Sequence, residues 1–173
     1  MDTAAKHVDT ATTDVEMKIR GLMMDPVTNM PIIVLKDVDS DAVLPIWVGM
    51  YEANAIALEI EKATPPRPMT HDLLRNAIRG LNAQVKKVVV SELRNDTFYA
   101  VVWMDHEGEP VAMDARPSDA LALALRSDCP IYVSRQVLDS SQLSINGAQN
   151  ISPEDLRRWL EGLGDEDMGR YKM

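Results

Sequence analysis

Three polar clusters in this 173-residue chain combine residue types that can do chemistry. The stretch DARPSDALALALR, residues 114–126, sets Asp114, Arg116 and Asp119 directly ahead of an alternating Leu/Ala run. A second cluster, RPMTHD, joins Arg67, His71 and Asp72. Glu52 stands alone at the start of YEANAIALEIEKA. Carboxylates can hold hard cations through oxygen, and guanidinium forks clamp oxyanions. An imidazole can act as general acid or base near neutral pH, or bind a metal.

Part of this charge has a plainer explanation. Pro117 suits a first helical turn, while Ser118 and Asp119 favour a helix N-terminus, the dipole contribution alone being roughly 0.3–1 kcal/mol. Thr70 reads as an N-cap with Asp72 in the following turn, and Glu52 is favourable in a first turn for the same dipole reason. The Leu/Ala run spreads apolar surface around most of its helix, which implies burial. That leaves Asp114 and Arg116, which must either pair in a structural network or belong to a site. His71 is the histidine that sits at an element boundary beside a carboxylate; His7 falls in the N-terminal tail and His106 in a hairpin turn.

The elements that must position these residues follow from periodicity. Val15, Met17 and Ile19 alternate with polar neighbours as a half-buried strand, and residues 31–35 and 43–48 continue as strands. Residues 51–63 and 71–81 read as helices, joined by the rigid connector TPPRPM. Residues 85–93, 97–104 and 110–115 form an antiparallel meander with turns at Arg94-Asn95-Asp96 and His106-Glu107-Gly108-Glu109. The helix of the Leu/Ala run and a short apolar segment, PIYV, come next. Residues 140–150 read as loop, and Ser152 caps a last short helix beginning EDLRRW. Strands, helices, meander and helices in that order make an α+β domain, a mostly antiparallel sheet packed against several helices. Residues 1–14 form a loose tail, 15–140 the domain, and 141–173 a loop, a short helix and a C-terminal tail.

Composition narrows the function classes. Hydrophobic residues make up 46% and charged residues 26%, a globular balance. No apolar run is long enough for a membrane helix, and no secretory h-region is present, so a cytoplasmic protein without membrane partners is expected. One cysteine excludes an internal disulfide and any cysteine-rich zinc site. A net charge of −9 gives no general help to nucleic-acid binding, which needs a local basic group or a bridging cation. There is no glycine-rich phosphate loop, histidine pair at zinc spacing or serine elbow. The eleven methionines scatter as core filler.

Taken together, LPIWVGMYEANAIALEIE, PPRPMTHDLL, TFYAVVWM and DARPSDALALALR resemble the bifunctional nuclease domain family. The resemblance covers roughly residues 15–140, and SPEDLRRWLEGLGDEDMGRYKM resembles the family's C-termini. It implies a compact α+β domain that hydrolyses DNA and RNA. The family-like polar positions are Glu52, Arg67, His71, Asp72, Asp114, Arg116 and Asp119. On that reading Asp114 and Asp119, with Glu52, hold Mg²⁺ or Mn²⁺; Arg67 and Arg116 clamp phosphate; and His71 is the general acid or base. The scheme requires the helix starts near 70 and 117 to converge, with Asp114 and His71 on the same side. The rival is a non-catalytic module, working as a homo-oligomer or by binding a partner, in which the Asp and Arg residues form a structural network. The two differ in whether Arg67 and Arg116 saturate the carboxylates.

Overall fold

The computed structural model describes residues 13–145 and Arg158. Seven strands form one sheet: β1 (Asp14–Met24), β2 (Pro31–Asp37), β3 (Val43–Trp47), β4 (Ala83–Arg94), β5 (Thr97–His106), β6 (Glu109–Ala115) and β7 (Ile131–Ser134). Their spatial order is β3-β2-β1-β7-β4-β5-β6, and every pairing except the parallel β4–β7 pair is antiparallel. Four helices accompany it: α1 (Met50–Ile60), α2 (Thr70–Gly80), α3 (Pro117–Ser127) and α4 (Arg135–Ile145). This is the α+β architecture the order of elements predicts.

Side-chain parity explains where the core sits. Val15, Met17 and Ile19 alternate inward along β1, and a bulge between Ile19 and Gly21 resets the register so that Leu22 also points inward. On β2, Ile33 and Leu35 enter the main cluster while Ile32 and Val34 join a smaller one on the other face. The tight turns use residues that tolerate left-handed backbone. Asn95 and Asp96 connect β4 to β5 with φ of 48° and 58°, and Glu107 and Gly108 connect β5 to β6 with φ of 54° and 89°.

α3 is the central helix, lying against both α1 and α2 and against β4 and β5. Ala120 to Ala124 are essentially inaccessible, as the Leu/Ala run predicts. α4 reaches β7, β4 and β3, burying Val137 and Leu138. Here the structure departs from expectation: residues 140–145, read as loop, continue a helix begun at Arg135. The expected C-terminal helix lies outside the described residues, apart from Arg158, which is helical. Among the described residues no helix is long and apolar enough to cross a membrane.

Candidate active site at the converging helix N-termini

The N-termini of α1, α2 and α3 meet at one place. Gly49, Met69 and Arg116 are their N-caps, all in extended conformation, and none donates or accepts a side-chain capping hydrogen bond of the usual Ser/Thr/Asp kind. Thr70, expected as a cap, is instead the first helical residue of α2. Each helix carries an acid at its third position, Glu52, Asp72 and Asp119, where the helix dipole favours negative charge.

Four of these side chains form a chain of contacts. His71 Nε2 lies 2.9 Å from Asp119 Oδ1, joining α2 to α3. Arg116 donates through Nε to Asp119 Oδ2 at 2.8 Å and pairs through a terminal nitrogen with Glu52 Oε1 at 2.9 Å, joining α3 to α1. Burial opposes ionisation of Asp119, but the His71 and Arg116 hydrogen bonds outweigh it and hold its carboxyl below the usual range. An ionised Asp119 only accepts, so the proton between it and His71 resides on Nε2. Asp119, first, and Glu52 in turn raise the Arg116 guanidinium further above its usual value. The His71 side chain is 12% exposed, whereas Arg116 is 66% exposed and faces solvent at the mouth of the cluster.

Gly49 gives Glu52 its place. A Cβ at position 49 would run into the Glu52 carboxylate, lying 3.1 Å from Cδ and closer still to Oε2. The glycine φ is −71°, so backbone freedom does not call for glycine here; a Cβ would instead make the flexible Glu52 carboxylate shift.

Two expected members stay apart. Met113 and Ala115 on β6 pack against the main core, so Asp114 between them projects exposed from the opposite face of the sheet. The sheet therefore separates Asp114 from His71, and among the described residues the Asp114 side chain makes no hydrogen bond or ion pair, its backbone being paired with Val101 of β5. Arg67 is exposed in the α1–α2 connector and likewise has no such partner among the described residues. A carboxylate set for Mg²⁺ or Mn²⁺ from Asp114, Asp119 and Glu52 does not fit this arrangement. Both Asp119 oxygens are taken, the Arg116 guanidinium lies between Asp119 and Glu52, and Asp114 is across the sheet. Among the described residues no three His, Cys, Asp or Glu side chains gather as a metal set.

The residue that sequence reasoning passed over is Arg126. It sits in the quoted motif, seven residues after Asp119 and so two turns along the same face of α3. Its side chain is 2% exposed and pairs with Asp72 at 2.7 Å. A charge directly following the apolar run Ala120–Leu125 is the signal that could have found it. Nearby, a groove of about 320 Å³ runs between α1 and the β1–β2 end, lined by Met23, Met24 and Met50, but none of the four polar residues lines it.

The sequence model of the bifunctional nuclease domain matches residues 33–146, a span that contains every residue of this cluster. Two uncharacterized proteins, from two strains of Mycobacterium tuberculosis, are each 42% identical over 161 residues, covering 88% of this chain and 96% of theirs. Bifunctional nuclease 1 of Oryza sativa subsp. indica is 28% identical over 117 residues, covering 65% of this chain and 35% of the rice protein. Bifunctional nuclease 1 of Arabidopsis thaliana is 26% identical over 126 residues, covering 70% and 39%. With two thirds of its length under the family's model and the mycobacterial proteins aligned almost end to end, the chain belongs to the bifunctional nuclease domain family.

Proposed function

We propose that this protein is a nuclease that hydrolyses phosphodiester bonds of DNA and RNA at the mouth of the α1–α2–α3 junction. The observation that carries the reading is the His71–Asp119 hydrogen bond beside a guanidinium that is mostly open to solvent. Asp119 fixes the imidazole and its tautomer from one side, which leaves Nδ1 as the ring nitrogen able to take a proton from the attacking water; the water oxygen bonds to phosphorus as the P–O bond to the leaving sugar oxygen breaks, and that oxygen takes a proton from solvent. Arg116 supplies a fork for the non-bridging phosphate oxygens, where negative charge builds as the bond breaks. Glu52 holds that fork in place before substrate arrives. The family membership and the names of the plant relatives support the same chemistry. The donors do not fit a divalent ion as they stand.

A second reading has one observation in its favour. Arg116 engages both Glu52 and Asp119, as a purely structural network would. Cleavage of supercoiled plasmid and of single-stranded RNA separates the two, each tried with Mg²⁺, with Mn²⁺ and with EDTA. His71→Gln and Asp119→Asn should each lower the rate at least a hundredfold while Asp114→Asn leaves it unchanged. Equal rates in all four proteins, or none in the wild type, would favour the non-catalytic module.

A further inference from the structure

Arg126 is a buried charge that the proposed chemistry does not use. Stability alone is a poor reason for it, because a buried ion pair replaced by well-packed apolar residues is often neutral or better. A guanidinium offers something an apolar residue cannot, a planar fork of donors in fixed directions. At Arg126 these directions end on three helices. Nε donates to Asp72 Oδ1 on α2 at 2.7 Å, one terminal nitrogen to the Ala55 carbonyl on α1 at 3.0 Å, and the other to the Ala122 carbonyl on α3 at 3.0 Å. The Glu59 carboxylate on α1 stands 3.9 Å from the same Nε. Arg75 on α2 donates to the Arg126 carbonyl at 3.2 Å.

Asp72 passes this hold to its neighbours. Its second oxygen accepts the Met69 backbone N–H at 2.8 Å, so one carboxylate pins the chain on both sides of His71. α3 thus grips α2 twice on one stripe, through Asp119 to His71 and, two turns on, through Arg126 to Asp72. The Ala55 contact fixes α1, which carries Glu52. We infer that Arg126, acting through Asp72, is the positioning residue that sets the His71 imidazole against Asp119. Its consequence for cleavage rests on the role proposed for His71; its geometric claim does not.

The test follows the Nε2–H signal of His71 in the full chain labelled with ring-¹⁵N histidine. With three histidines in the sequence, His71→Gln assigns it. The variant is Asp72→Leu/Arg126→Met, which removes both charges together and leaves neither stranded. Its amide spectrum should remain that of a folded protein while the His71 signal moves or broadens away. kcat on single-stranded RNA should fall at least tenfold with KM within twofold, since displacing a reacting group by about 1 Å can cost a hundredfold. Should the double variant fail to fold, Arg126→Lys, which keeps the charge and loses the fork, takes its place with the same expectation. A wild-type His71 signal and kcat in the folded variant would overturn the inference while leaving the nuclease reading intact. If the wild type cleaves nothing, the nuclease reading falls and the His71 signal alone decides the role of Arg126.

Discussion

Substituting Gly49 by alanine tests whether one missing methyl group holds the site together. The backbone there, at φ −71° and ψ 158°, is open to any residue, so alanine brings no torsional strain. Alanine is a poorer N-cap than glycine, a loss of about 1 kcal/mol or less. The added Cβ must also displace the Glu52 carboxylate, which is 18% exposed and paired with Arg116. Arg116 is two-thirds exposed, so that pair contributes only about 0.2–1 kcal/mol after screening. The expected sum is at most about 2 kcal/mol, or a fall in Tm of up to roughly 8 °C for a domain of this size. A double-mutant cycle in urea isolates the Glu52 part. In a Glu52→Ala background the carboxylate is gone, so Gly49→Ala should cost only its capping loss. The coupling between the two substitutions should be about 0.2–1 kcal/mol. If Gly49→Ala is equally destabilising in both backgrounds, the glycine does not serve Glu52.

Two other side chains allow simpler tests. Asp25 accepts the Trp47 indole N–H at 3.0 Å, first among the hydrogen bonds that hold its carboxyl at about 2, and also the backbone N–H groups of Val27 and Thr28. Its folded value lies below the ordinary Asp value of about 3.9, so its stabilisation is complete above pH 4 and is lost as pH falls toward 2. Asp25→Asn should therefore be less stable at pH 7, and the two proteins should converge near pH 2 in urea titrations read by tryptophan fluorescence. A gap that stays constant with pH would refute the assignment. Burial pushes the Cys129 thiol up to about 11, with Asp128 adding to the effect. At pH 8 its reaction with a disulfide reagent should run at least tenfold slower than that of free cysteine, and an equal rate would mean the thiolate is not suppressed.

What the sequence disclosed about this molecule divides along a physical line. Local periodicity made β1, the β4–β5–β6 meander and the burial of α3 legible, because each depends on neighbours a few residues away. The same holds for Asp119 and His71, whose positions at helix starts are local facts. Their pairing needed α2 and α3 to converge, which was posed as a requirement and which the fold meets. Asp114 shows the limit. It stands five positions before Asp119, yet strand parity sends it through the sheet to the other face, and the motif's compactness in sequence concealed that. Arg67, two residues from the α2 cap, is similarly close in sequence and unengaged among the described residues. α4 was missed because Ser140, Ser141 and Ser144 weaken helix propensity locally, while packing of Val137 and Leu138 against β7 and β4 settles the matter. Arg126 was hidden for the opposite reason: a cation at a helix C-terminus has an ordinary explanation in the dipole, and only the partners on α1 and α2 reveal another.

The charge around the junction leads to one more expectation, which depends on the nuclease reading. Glu52 and Asp119 bring two negative charges and Arg116 one positive, within a chain of net charge −9. A polyanionic substrate at the junction therefore meets the exposed Arg116 guanidinium flanked by two carboxylates. Neutralising Z phosphates on a single strand gives a slope of about −0.7Z for log affinity against log salt. One Arg116 contact predicts a slope near −0.7. Relief of the long-range repulsion by screening works in the other sense and makes the dependence shallower at low ionic strength. Apparent affinity for a short single-stranded RNA, measured between about 50 and 200 mM salt, should thus change by only about threefold. Arg116→Met should flatten the dependence further or reverse it, as the attractive charge of the Arg116 fork is removed. A slope of −3 or steeper in the wild type would require several phosphate contacts, and would place the binding surface on basic groups other than the Arg116 fork.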